Sequence, residues 1–359
     1  MGFGSALAEV GLQNAEKQEV TTFLSTGNPI LDHRLSGKYV GGGFAGGRII
    51  EVIGPSSSGK TIMATNAMIQ TQKMGGLAGF DDHERSFDLG LGKSLGLSDS
   101  ADNWVYSTPF TFEGSLDRMK EKVLIARGMK FDAKADNFVR DPKLPEYFSP
   151  DVPFCWVFDS LAAMVPQSAL VDAKTGEVKD AADRSMHDNM ALARCTSAHF
   201  PQLAKFAEAT NTCIIFLNQV RTDPNKRVMP GRPNMPDKAP GGGAPEFYAT
   251  QRVRLGRSFI TDDKQSYRKV GQTIACEVFK NKIVAPFQSC EWDLLFQPDG
   301  SAKFDIVGGV IDELKALGLI VASGAYLTWT DGKKYYRSQL IDKIEKEGLE
   351  SELMALLPV

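Results

Sequence analysis

The chain has 359 residues, 41 Lys and Arg against 44 Asp and Glu, a net charge of −3 and 42% hydrophobic residues. That length suits one large α/β domain with one or two small appendages. The charge balance excludes a protein coated in positive charge, but not a local nucleic-acid surface. No apolar run approaches the roughly 18–20 residues of a membrane helix, and the opening MGFGSALAEVGLQNAEKQ lacks the basic start and apolar stretch of a secretory signal.

Residues 1–20 read as a short amphipathic helix, with Leu7, Val10 and Leu12 among polar neighbours. Two Gly-rich patches follow, then the apolar strand Ile49–Ile53. From there strands and helices alternate: a helix over Lys60–Gln72, a strand over Leu77–Asp81, a short strand near Trp104–Tyr106 and a helix over Glu113–Arg127. The apolar strand Phe154–Asp159, a long helix over about Arg184–Glu208 and the strand Thr212–Leu217 complete the run. This alternation predicts an α/β fold with a mostly parallel central sheet flanked by helices. Residues 128–151 are polar and proline-containing, which predicts a surface insertion. Residues 222–243 form a long proline-rich connection ending in a triple glycine. Thr250–Leu255, Gln272–Phe279 and Ser289–Phe296 read as added strands. A small C-terminal α/β unit follows, with helices Gly308–Leu317 and Ser338–Glu347 around a hairpin at Asp331-Gly332. The expected division is an N-terminal helical arm over 1–24, a core over 25–300 and a small C-terminal domain over 301–359. The five cysteines (Cys155, Cys195, Cys213, Cys276, Cys290) are scattered without a CxxC pair; Cys155 and Cys213 lie in apolar, strand-like runs that predict buried thiols, and a reducing cytoplasm fits.

The segment Gly54-Pro55-Ser56-Ser57-Ser58-Gly59-Lys60-Thr61 fits G-x-x-x-x-G-K-[ST] between a strand and a helix. Its glycines let backbone N–H groups curl toward phosphate oxygens, and the helix that starts there, continuing through Ile62, turns its positive end to the anion. Lys60 is placed to reach the β- and γ-phosphates, and Thr61 to offer a hydroxyl to Mg²⁺. Asp159, at the end of an apolar strand, is placed to hold the hydration shell of that metal. A further acid is needed to activate water. Asp81, Asp82 and Glu84 are each candidates from the residues alone, and His83 reads as a polar neighbour.

With those motifs in hand, the chain resembles the RecA family of recombinases, including phage members. The resemblance rests on Ser25-Thr26-Gly27, Leu31-Asp32, Gly47-Arg48-Ile49-Ile50-Glu51, the P-loop and Asp82-His83-Glu84-Arg85-Ser86-Phe87-Asp88. It continues through Asp159-Ser160-Leu161, Phe216-Leu217-Asn218-Gln219-Val220-Arg221, Gly241-Gly242-Gly243-Ala244 and Phe279-Lys280-Asn281-Lys282. It implies a RecA-like P-loop ATPase core that binds ATP and Mg²⁺, with Glu84 as the catalytic base and Gln219 as the sensor of the γ-phosphate. Lys280 and Lys282 would act on ATP held by the neighbouring subunit of a helical filament. Adenine would lie between Asp88 and Phe296. Single- and double-stranded DNA would be partners. The second DNA loop would carry Arg221, Lys226, Arg227, Arg232 and Lys238 and end at Gly241, Gly242 and Gly243. The first would lie between about Lys174 and Asn189, followed by Arg194 and Ser197 on a helix.

Several positions depart from the bacterial pattern. The N-terminal arm is short, Leu91 stands where an aromatic is usual, Pro201 replaces an arginine and is expected to bend or restart its helix, and Glu246 replaces a lysine. These changes favour a divergent, phage-like member over a housekeeping bacterial one. The leading reading is an ATP-dependent recombinase that coats single-stranded DNA and exchanges strands; the alternatives are a hexameric helicase on the same core, or an ATP-binding filament scaffold with little turnover.

Overall fold

Three apolar runs, β3 (Ile49–Gly54), β8 (Phe154–Asp159) and β9 (Thr212–Gln219), stand side by side at the centre of a nine-stranded sheet, preceded in the chain by the short pair β1 (Phe23–Leu24) and β2 (Phe44–Ala45). The computed structural model describes residues 19–172, 174–179, 190–220, 239–262, 267–298 and 301–358. The expected N-terminal helix falls almost wholly outside those residues, as does most of each presumed DNA loop.

Burial on both faces explains why the central strands are continuously apolar. Successive side chains point to opposite faces. Cys155, Val157, Cys213, Ile215 and Leu217 therefore join one core cluster, with Met63, Ala67 and Met68 of the helix Lys60–Lys73. Phe154, Trp156, Phe158, Ile214 and Phe216 join the other, with Leu116, Met119 and Val123 of the helix Phe112–Arg127 and Phe200, Leu203 and Phe206 of the helix Ala191–Thr210. Gly79 is required by this packing, because a Cβ there would stand 2.3 Å from the Trp156 ring.

The order β10-β3-β9-β8-β4-β5 is parallel throughout, with β4 at Ala78–Asp82, β5 at Trp104–Ser107 and β10 at Gln251–Thr261. Strands β11 (Lys269–Asn281), β12 (Gln288–Phe296) and β13 (Ala302–Phe304) extend it antiparallel. The sheet thus runs a few residues past the expected boundary at residue 300. Beyond it, the helices Ile306–Ala316, Arg337–Glu347 and Glu350–Ala355 enclose a separate cluster with a three-stranded sheet, and Tyr39 enters that cluster from the N-terminal side.

One local expectation is refined and one corrected. The insertion lies at the surface, with none of residues 129–151 buried, and it contains a hairpin, β6 (Met129–Asp132) paired with β7 (Asn137–Arg140). Its Phe138 meets Phe206 edge-on at 5.3 Å, and Phe148 meets Phe154 at 5.1 Å. Average polarity hid these two aromatic anchors. The helix Ala191–Thr210 also runs unbroken through Pro201. A proline there removes one helical N–H, but the surrounding turns hold against the sheet through Phe200 and Leu203, both fully buried.

Candidate active site

Parallel strands leave their C-terminal ends on one edge, and the register lines up four motif residues there. Gly54 lies opposite Gln219, Asp159 opposite Leu217, and Asp82 opposite Asp159. After Gly54 the loop turns through Ser57 and Gly59 at φ of 57° and 93°. Gly59 cannot be replaced without strain, since its conformation is left-handed and an added Cβ would stand 2.7 Å from Ile274 Cδ1. The Ser57 carbonyl accepts from Gln272 Nε2 at 3.2 Å and Arg257 Nη1 at 3.3 Å, which ties the outer side of the loop to β11 and β10.

The Lys60 ammonium curls back over the loop and donates to the Gly54 and Pro55 carbonyls at 3.0 and 2.8 Å. Burial lowers its pKa, against the opposing pull of Asp159 and Glu84. Thr61 Oγ1 donates to Asp159 Oδ2 at 2.7 Å. Burial first, then the nearby Glu84 and Asp82 charges, push the Asp159 carboxyl up to about 6. Ser58 Oγ is buried without a hydrogen-bond partner among the described residues. A helix start, a lysine curled over the loop and a hydroxyl beside a carboxylate fit a triphosphate and a hydrated divalent cation. Ile62 contributes no side chain to such a ligand, because it packs against the core.

The three acids of the sequence are now distinguishable. Asp81 is buried and accepts from the hydroxyls of Ser107 and, at 2.5 Å, Ser115. Asp82 organises the following turn, accepting from the Ser86 and Phe87 amides at 3.3 and 3.0 Å and from the Tyr106 hydroxyl at 3.1 Å. Glu84 alone faces the strand-end residues: its Oε1 accepts from the Ser160 hydroxyl and from Gln219 Nε2, the latter at 2.9 Å. The backbone amides of His83 and Glu84 both donate to the Asp159 carbonyl, at 2.7 and 3.1 Å, which pins the turn to β8. Ser160 was not singled out from the sequence, although it directly follows Asp159.

Asp88 caps the short helix Leu89–Ser94, accepting from the Leu91 amide at 3.0 Å. Phe296 ends β12, and its ring is 44% exposed. It lies two residues beyond Leu294, which pairs with the Gln272 that holds the P-loop. Phe296 is thus at the P-loop end of the sheet.

Lys280 and Lys282 lie at the other end. Lys280 is level with Arg252, and Arg252 with Glu51, three residues short of Gly54 and two strands aside. At about 3.3 Å per residue and about 4.8 Å per strand, that separation is roughly 14 Å. The Lys280 ammonium donates to the Glu246 and Phe247 carbonyls of the helix Ala244–Tyr248, not to the P-loop. Burial, then the Lys282 and Arg252 charges, lower its pKa to about 8. Lys282 sits one residue past β11, with its ammonium 5.9 Å from the Phe247 ring.

Between these ends runs a buried polar chain that the sequence did not reveal. Glu51 Oε1 accepts from Asn218 Nδ2 at 2.9 Å, and Oε2 from Arg252 Nε at 2.7 Å. Arg252 also reaches Glu246 at 3.4 Å, and Asn218 donates to the Pro240 carbonyl at 2.9 Å. Both Glu51 and Asn218 belong to quoted motifs, but only the strand register places them side by side.

Of the presumed DNA contacts, Arg194 and Ser197 are exposed on the helix Ala191–Thr210. Gly241 and Gly242 pack against that helix. Thr196 Oγ1 donates to the Gly241 carbonyl at 2.6 Å, and a Cβ on Gly242 would stand 2.9 Å from Ala193 Cβ. Gly243 follows, exposed. Arg221, Lys226, Arg227, Arg232 and Lys238 lie outside the described residues.

A family model described as RecA N-terminal domain matches residues 2–129 and 151–300. The chain belongs to the RecA family. The unmatched residues 130–150 contain nearly all of the β6–β7 hairpin. Protein RecA of Ruminococcus albus is 33% identical over 310 residues, covering 86% of this chain and 65% of the relative. This chain therefore spans slightly under two thirds of that relative. Protein RecA of Sulfurimonas denitrificans is 30% identical over 341 residues, covering 93% and 84%, and that of Geobacter sulfurreducens is 32% identical over 289 residues, covering 80% and 71%. A solved structure of the RadB recombinase aligns at 18% identity with a TM-score of 0.47, covering 77% of this chain and 98% of that one. The family assignment rests on the sequence matches and not on that alignment. Among the described residues, no helix is long and apolar enough to cross a membrane.

Proposed function

We propose that this protein is an ATP-dependent DNA recombinase, which assembles on single-stranded DNA, pairs it with a homologous duplex and exchanges strands. The observation that carries the reading is Glu84, held between Ser160 and Gln219 at the same strand edge as the P-loop. A carboxylate there is in position to orient a water toward a terminal phosphate. Lys60, Thr61 and the amides from Ser56 to Ile62 would hold the triphosphate, and Thr61 with Asp159 would hold the hydrated Mg²⁺. The metal would neutralise charge on the phosphate oxygens.

Gln219 couples that chemistry to DNA in this reading. It bonds Glu84, and it ends the strand that leads into residues 221–238. A terminal phosphate competes for its amide, so nucleotide state biases the connection beyond it. Lys280 and Lys282, far from their own P-loop, would complete the site of an adjoining subunit. The RecA-family match gives the hexameric-motor alternative no support.

The test is ATP hydrolysis with and without single-stranded DNA, run beside a strand-exchange assay and imaging of filaments. Stimulated hydrolysis with joint-molecule formation is expected. Turnover indifferent to DNA, or forked-duplex unwinding by rings, would overturn the reading.

A further inference from the structure

A second group of reactive side chains lies where the helix Phe112–Arg127 begins against the helix Ala191–Thr210. Glu113 is in the first turn of the former. Cys195 and His199 are four residues apart on the latter, so they share one face. One ligand atom from each of the three lies within 4.8 Å of the other two. The Cys195 thiol donates to Glu113 Oε1 at 3.3 Å. The His199 ring contacts Phe112, with centroids 5.7 Å apart, and no hydrogen bond joins it to another described residue.

We propose that Glu113, Cys195 and His199 bind a zinc-class transition-metal ion, with water as the fourth ligand. A thiolate, an imidazole and a carboxylate are the donor set of Zn²⁺ or Co²⁺, whereas Mg²⁺ takes oxygen donors and retains water. Around a tetrahedral ion with bonds of about 2.0–2.3 Å, ligand atoms stand roughly 3.3–3.8 Å apart. The Cys195–Glu113 contact at 3.3 Å already has that spacing, and the remaining pairs lie within 4.8 Å. Support behind the ligands is also in place. Glu113 Oε2 accepts from the Gln167 amide at 2.8 Å, which fixes the carboxylate from behind. Without a metal, burial and the Glu113 carboxylate push the thiol up to about 12. Metal entry displaces that proton to solvent and leaves a thiolate on the ion.

The ion would clamp the two helices together. Arg194 precedes Cys195, and Ser197 lies between the two helix ligands. Ala193 and Thr196 carry the Gly241-Gly242 turn. The clamp therefore acts on the helical turn that both presumed DNA segments share. Mg²⁺ at the P-loop would neither fill nor empty this site.

Metal-free protein titrated with Co²⁺ tests the assignment without involving ATP or DNA. One equivalent should bind, with a thiolate-to-cobalt charge-transfer band that Zn²⁺ abolishes and excess Mg²⁺ leaves intact. Cys195→Ser should remove the band. His199→Ala and Glu113→Gln should each weaken cobalt binding at least about tenfold, while Cys290→Ser leaves it unchanged. Zn²⁺ should raise the melting temperature of the parent and not of His199→Ala, a readout that stands even where Cys195→Ser folds poorly. A folded parent that binds no cobalt at equimolar concentration overturns the proposal, and so does a band that survives Cys195→Ser. Either failure would leave the recombinase reading untouched.

Discussion

Gln219 Nε2 donates to Glu84 Oε1 at 2.9 Å, joining the end of β9 to the turn after β4 across the strand that ends in Asp159. Glu84→Gln keeps the shape and removes the base. It should bind ATP and DNA normally and hydrolyse about 10²–10⁴-fold more slowly. A steady-state phosphate-release assay checks this, and turnover near that of the parent would remove Glu84 from the role.

Lys60→Ala removes the cation above the loop. Charge-assisted hydrogen bonds are worth about 1.5–3 kcal/mol each, so nucleotide affinity should fall roughly 10–100-fold. Fluorescent-nucleotide titration measures it, and unchanged affinity would sink the assignment of the phosphate site.

Lys282→Ala should retain nucleotide binding in the isolated subunit and lose DNA-stimulated hydrolysis. The separation of roughly 14 Å between the lysine pair and its own P-loop is the reason. Paired binding and ATPase measurements decide, and retained stimulation would count against action on a neighbour.

Arg252 and Glu51 form a buried ion pair at 2.7 Å. Arg252→Met leaves Glu51 charged and without its guanidinium, at a cost of about 3–5 kcal/mol. Adding Glu51→Leu should recover most of that loss. Urea unfolding of the parent, the single and the double variant tests both statements, and a neutral single variant would contradict the first.

His83 is half-buried against Ser115, and the loss of solvent, then Arg85, lowers its pKa from 6.5 to about 4. Between those values the unfolded chain binds more protons than the folded one, so stability falls as pH drops through the window and levels off below it. A His83→Gln variant should show a flatter dependence of melting temperature on pH from about 6.5 to about 4. Parallel curves for the two proteins would refute the contribution.

Much of this arrangement was legible in the residues because it obeys short-range rules. Continuous apolar runs marked the central strands, as burial on both faces requires, and the P-loop spacing marked the phosphate site. The choice among Asp81, Asp82 and Glu84 was not legible locally. They fall within four consecutive positions at the end of β4, and only partners on other elements (β5, the helix Phe112–Arg127, the end of β8 and β9) separate them. The same applies to Glu51, whose meaning depends on Asn218 and Arg252, each more than 160 positions away. The surface position of the insertion at 128–151 was legible, but its anchors Phe138 and Phe148 were not, because two rings among polar neighbours do not change an average.

The lysine pair at the far end of the sheet also constrains how a chain of such subunits behaves. If each junction needs a P-loop from one molecule and lysines from the next, a row of subunits always ends on one member that holds nucleotide without a partner to help cleave it. That terminus would keep its triphosphate longest and so persist, while the interior turns over. The two ends would be chemically unlike. Mixtures of Lys60→Ala and Lys282→Ala chains should regain hydrolysis only at junctions where the intact halves meet.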